Sequence, residues 1–132
     1  MTNWKLHKKR AYKLSTFVLK NLQNGHPTFY MDGAIFVGMN AHRGGGSAMS
    51  LALCWLLRVQ EANPHLPRVN MGVVCTHENP KKQIPGDGCG VKSIPERLRQ
   101  KDLLLARQWT KTDIDAYLKA VIDTPIPEDK GV

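Results

Sequence analysis

Residues 34–76 read AIFVGMNAHRGGGSAMSLALCWLLRVQEANPHLPRVNMGVVCT, and the reading of this stretch decides the fold. The run from Ala34 to Met39 predicts a strand, and His42 to Ser47 a glycine-rich turn. Ala48 to Ala62 predicts a helix, and Val69 to Thr76 a second strand. The helix carries Met49, Leu51, Leu53, Trp55, Leu56, Leu57 and Val59, apolar on nearly every side, and so should lie buried and central. Cys54 sits among them and reads as core. Pro64 and Pro67 stop the helix.

Upstream, Asn3 to Leu22 has helical spacing, with Leu6, Leu14, Phe17, Val18 and Leu22 recurring at three and four residues. Gly25 and Pro27 end it. Phe29-Tyr30-Met31 and Ala34 to Val37 flank Asp32-Gly33, the type I′ hairpin signal, because both central positions of that turn need positive φ. Downstream, residues 77–92 hold Pro80, Pro85, Gly86, Gly88 and Gly90 and read as one long loop, a length often functional in a compact domain. Ser93-Ile94-Pro95-Glu96 is a capping-box start for a helix reaching about Gln108. Thr112 caps a last helix with Ile114, Leu118, Val121 and Ile122 on one face.

The predicted order is α-β-β-α-β-α-α. This is an α+β fold with a small mixed three-stranded sheet, a central buried helix and two C-terminal helices, the 34–76 unit crossing over right-handedly. Residues 1–123 should form a single domain, with 124–132 as a fraying tail.

Length and composition bound the class. A chain of 132 residues, 42% hydrophobic and 23% charged, is ordinary for one globular domain. It has no apolar run near the ~20 residues that span a bilayer, so no membrane segment is expected. The basic N-terminus lacks the apolar stretch of a signal peptide. Three cysteines, an odd number, argue for a reducing compartment, with the cytoplasm as the default.

The net charge of +8 is unevenly placed. Residues 1–31 hold Lys5, Lys8, Lys9, Arg10, Lys13 and Lys20 with no acid, whereas Asp113, Asp115, Asp123, Glu128 and Asp129 gather at the other end. Such an N-terminal face is either a solvated helix surface or a site for an anionic partner, nucleic acid or nucleoprotein.

The glycine turn carries the first chemical reading. A turn from strand to helix gathers unpaired N–H groups at the positive end of the helix dipole. Arg43 adds a full charge, and a diphosphate suits that combination. No Gly-Lys-Ser/Thr follows, and the G-x-G-x-x-G spacing is absent, so neither nucleotide-binding signature applies. The plain alternative is a linker or a close helix–strand contact.

Arg43-Gly44-Gly45-Gly46-Ser47-Ala48 resembles the acetyl-CoA loop of the GNAT acetyltransferase superfamily, R/Q-x-x-G-x-G/A, with Leu51 at the family's leucine and Asn79 where an asparagine often follows the second strand. The resemblance covers residues 29–79. It implies that the backbone of Arg43, Gly44, Gly45, Gly46, Ser47 and Ala48 holds the pyrophosphate of acetyl-CoA, and that an acetyl group passes to an amine. A general base must then deprotonate the amine, and His77 and Glu78 are the nearest candidates. The chain departs from the family after Asn79: no tyrosine occurs between Tyr30 and Tyr117, and the last two family strands have no counterpart.

Two further readings use other residues. Cys75, His77 and Cys89, with His65, are soft ligands, but they lack the paired spacing of a zinc site. Cys89 with His77 as base has no family signature. Alternatively, the protein binds without catalysis. The N-terminal helix and the cluster Arg97, Arg99, Lys101 and Arg107 would meet phosphates, and Trp4 and Trp109 would stack on bases. The last two helices form either a helix-turn-helix or a plain hairpin. By analogy, small basic proteins of this kind are typical of phage and plasmid genes that block host nucleoprotein machinery.

Overall fold

A computed structural model describes residues 3–38, 46–67, 69 and 93–127. These residues form five helices: α1 (Trp4–Gln23), α2 (Tyr30–Phe36), α3 (Gly46–Ala62), α4 (Ile94–Ala106) and α5 (Lys111–Asp123). The α+β expectation is therefore corrected, since the described residues contain no sheet.

α1 forms where its periodicity places it. Asn3 caps the start, its Oδ1 accepting from Leu6 N–H at 3.2 Å. The end is a Schellman turn: Gly25 N–H donates to Leu22 O (3.0 Å) and His26 N–H to Asn21 O (2.8 Å). Gly25 has φ of +78°, a region in which a side chain is strained, which is why glycine stops the helix. Ala11, Leu14, Val18, Leu19 and Leu22 are buried along one face.

The hairpin expected at 29–37 is a helix instead. Residues Tyr30 to Phe36 wind into α2, so the strand expected from Ala34 fails at its first three residues. Met39 lies outside the described residues. The dipeptide Asp32-Gly33 misled because glycine serves a different need here. Gly33 is not among the positive-φ residues. It lies buried where α2 meets α1 and α3, and a Cβ there would stand 2.8 Å from Met49 Cε and 3.1 Å from Leu14 Cδ1. The small residue lets helices approach; it does not let a chain reverse. Both obstructing atoms end flexible side chains. Gly33→Ala should accordingly be near neutral in a thermal melt, a helix-propensity gain of about 1 kcal/mol offsetting the displacement of Met49. Gly33→Leu should cost about 1–3 kcal/mol by overpacking. Equal melting temperatures for both variants would show that α2 does not seat on α1 and α3 through Gly33.

α3 is the central helix, with Met49, Ala52, Leu53, Trp55, Leu56 and Val59 buried. It is not enclosed on every side. Ser50, Cys54, Arg58 and Glu61, at four- and three-residue spacing, form an exposed stripe, so Cys54 is corrected from core to surface. Val69 is buried, and the rest of the strand expected at 69–76 lies outside the described residues, as does loop 77–92.

α4 starts as its capping signal predicts, Ser93 Oγ accepting from Glu96 N–H at 3.4 Å. The cap of α5 is Thr110, two residues before the expected Thr112. Thr110 Oγ1 accepts from Asp113 N–H, and the Asp113 carboxylate accepts from Thr110 N–H, both at 3.1 Å. A threonine with an acid three residues on satisfies two orphan donors; Thr112 with Asp115 has the same spacing, but Thr112 is already the second residue of the helix, and Asp115 pairs with Lys111. The two bonds with Thr110, with the charge of Arg107 a lesser cause, hold the Asp113 carboxyl below its usual range.

α1 packs against α3, α5 and α2. α1 and α5 are antiparallel: Gln23 near the end of α1 donates to Trp109 O before α5 (3.2 Å), and Lys8 near its start donates to Thr124 O after α5 (3.2 Å). Thr124 is buried, and its Oγ1 donates to Ala120 O at 2.7 Å. Residues 128–132 lie outside the described residues.

Candidate functional site

The residues of the acetyl-CoA-loop motif divide at the start of α3. Arg43, Gly44 and Gly45 lie outside the described residues, as do His77 and Glu78. Gly46, Ser47 and Ala48 form the first turn of α3, so this end of the motif does enter a helix N-terminus. Cys75 and Cys89 are also outside, and no group of three potential metal ligands occurs among the described residues.

The site the described residues do build is on α1. A helix turns about 100° per residue, so a residue's neighbours on its face are three and four away. The buried face takes His7, Ala11, Leu14, Ser15, Val18, Leu19 and Leu22. Lys5, Lys9, Lys13 and Lys20 therefore fall together on the opposite face, and all four are exposed. Lys5, Lys9 and Lys13 succeed one another at about 6 Å of rise, and Lys20 extends the ridge to about 22 Å. Asp32 is the sole acid in residues 1–60 of the sequence.

The other basic residues of α1 have different duties. Lys8 lies over the Trp55 ring, 5.5 Å from its centroid, and bonds Thr124 O. Arg10 is half-buried and, after burial itself, is the second cause holding the His7 imidazole below its usual pKa.

In the second basic cluster and the helix after it, several charges are paired with acids. Arg99 is paired with Glu96, Arg107 with Asp113 at 3.3 Å, Lys111 with Asp115 at 3.1 Å and Lys119 with Asp123 at 3.0 Å. Arg97 and Lys101 also have partners. Among the described residues, no ion pair involves Lys5, Lys9, Lys13 or Lys20. Among the described residues, the exposed lysines outside any ion pair thus line up on α1.

The two tryptophans proposed as stacking surfaces are structural. Trp109 is buried, its Nε1 donating to Leu104 O at 2.9 Å, with the Arg107 guanidinium over its ring. Trp4 packs against the rings of His7 and Trp55. The aromatic at the lysine ridge is one that sequence reasoning missed. Phe36 is 40% exposed and stacks on Phe17, with centroids 4.5 Å apart and planes at 15°. Phe36 falls in the strand expected from Ala34, whereas in the structure it ends α2 and stacks on α1.

Among the described residues, no helix is long and apolar enough to cross a membrane. Comparison with protein-family models, curated proteins and solved structures returns no match.

Proposed function

We propose that this protein binds nucleic acid, free or in a nucleoprotein, through the lysine ridge of α1. The observation that supports this most is the contrast between helices: Arg99, Lys111 and Lys119 on α4 and α5 are paired with acids, whereas among the described residues no ion pair involves Lys5, Lys9, Lys13 or Lys20. A row of exposed ammonium groups gains little stability for the fold. It gains affinity for a polyphosphate, because each neutralised phosphate releases condensed counterions. A cytoplasmic location belongs to the same proposal and rests on the odd number of cysteines.

The test is a titration of labelled duplex DNA, single-stranded DNA and RNA by anisotropy at low and rising salt. Binding by four lysines predicts that the logarithm of the affinity falls with the logarithm of salt concentration at a slope of about −3 to −4. Absence of binding to all three at low salt removes the proposal.

A second reading is acyl-CoA binding with GNAT-like acetyl transfer. It is favoured by the start of α3 at Gly46, inside the glycine run. It lacks the family strand ahead of the loop, because residues up to Phe36 are helical. Saturating acetyl-CoA must raise the melting temperature if it binds the native state, by the equivalent of about 3 kcal/mol at a hundredfold excess over Kd. An unchanged melt discards this reading.

A further inference from the structure

Resting on the nucleic-acid reading of α1, we infer that the ridge takes a single strand, and that Phe36 is the platform on which one of its bases stacks. Three observations converge on this edge of the molecule. First, Phe36 is exposed although it belongs to a helix that packs on α1, and Ile35 (67% exposed) and Met31 (39%) are exposed on the same short helix. Second, Phe17 backs the Phe36 ring with nearly parallel planes, which holds the ring flat, and the flexible Lys13 side chain lies over the ring. Third, charge flanks the pair. Phe17 stands on α1 between Lys13, four residues before it, and Lys20, three residues after it.

Lys13 Nζ lies 5.8 Å from the Phe36 centroid. At an exposed ring such a contact is weak, about 0.5–1 kcal/mol, and the lysine stem is flexible. It can swing from ring to phosphate when a strand arrives. The ring is then free for a base, as in single-strand sites that combine a cationic track with aromatic stacking.

A duplex does not fit this edge as well. Its bases are stacked on one another and present a wall of phosphates to aromatic and aliphatic side chains. The lysines would be satisfied, and Phe36, Ile35 and Met31 would face charge. Asp32 adds direction. It lies one turn before Phe36 on the exposed side of α2, and it repels phosphate. The sugar-phosphate chain therefore follows α1, and its base turns toward α2.

The experiment compares four probes on the full chain: labelled oligothymidylate, an abasic strand of equal length, a duplex of equal length and phosphatidylserine vesicles. Oligothymidylate should bind about 10- to 100-fold more tightly than the abasic strand, which has the same charges and no base to stack. Phe36→Ala should erase that difference without changing the salt slope. Phe36→Leu, which keeps an apolar contact on Phe17, should give the same result and separates stacking from misfolding. If the abasic strand binds as tightly as oligothymidylate, or if duplex or vesicles bind as tightly, the single-strand inference is overturned while the lysine ridge stands. If nothing binds at low salt, the ridge reading falls and the inference with it.

Discussion

Trp55→Ala should remove about 3–5 kcal/mol of stability, the expectation for deleting a fully buried tryptophan. Trp55 has no exposed surface and lies on the central helix. Trp4 leans on its ring with centroids 5.8 Å apart, and Lys8 covers the ring from α1. Its Nε1 reaches α5 and donates to Val121 O at 3.2 Å. That carbonyl is one of the last four of α5, which have no partner inside the helix. Trp55 and Lys8 together with Thr124 finish the C-terminal end of α5. One substitution thus opens a cavity between three helices and leaves a buried carbonyl unpaired. A domain of this size is stable by about 5–15 kcal/mol, so the variant would be close to unfolding. Trp55→Phe keeps most of the packing and loses the hydrogen bond, and should cost about 1–3 kcal/mol. Urea denaturation of both variants measures the two costs. A Trp55→Ala loss below about 1 kcal/mol would mean that α3 is not the centre of the core.

The same residues show what a sequence reveals and what it hides. α1, α3 and the start of α4 are local facts. Leu14, Val18 and Leu22 repeat at helical spacing, Gly25 supplies the left-handed stop, and Ser93 supplies a cap. Gly33 was not local. A glycine after aspartate is equally consistent with a positive-φ turn and with a helix contact too tight for a Cβ, and only Met49 and Leu14, distant in sequence, distinguish them. Reading it as a turn produced two strands and, with them, the sheet. Cys54 was misplaced for a related reason. Hydrophobicity on all sides of α3 hid a stripe of Ser50, Cys54, Arg58 and Glu61 whose exposure depends on how many helices surround it. The site follows the same division. Lysine clustering was legible as composition. The pairs Lys111–Asp115 and Lys119–Asp123 are also local, four residues apart on one helix, whereas Arg107 meets Asp113 only across the turn between α4 and α5. Phe36 gave no signal at all, since its value depends on Phe17 behind it.

Charge alone does not explain binding if position matters, and two triple variants with identical charge change decide the point. Lys5, Lys9 and Lys20 are exposed and make no ion pair among the described residues. Lys13 is left in place because it also contacts Phe36. Changing the three to glutamine should weaken binding of single-stranded DNA about 10- to 100-fold at low salt and reduce the magnitude of the salt slope by about 2 to 3. Stability should move by less than about 0.5 kcal/mol, as expected for surface sites without partners. The matched control changes Arg99, Lys111 and Lys119 to glutamine. Each of these side chains lies beside an acid three or four residues away, so its charge is already compensated locally. Exposed pairs of this kind contribute little to stability, so the control also folds. It lowers the net charge by the same amount, yet the ridge remains intact and affinity should fall by no more than about twofold, from long-range field alone. If both triples weaken binding equally, the partner senses the overall +8 of the chain and not a ridge on α1. If only the ridge triple does, the phosphates lie along that helix, because screening beyond about 10 Å at ~0.1 M salt leaves only nearby charges to matter.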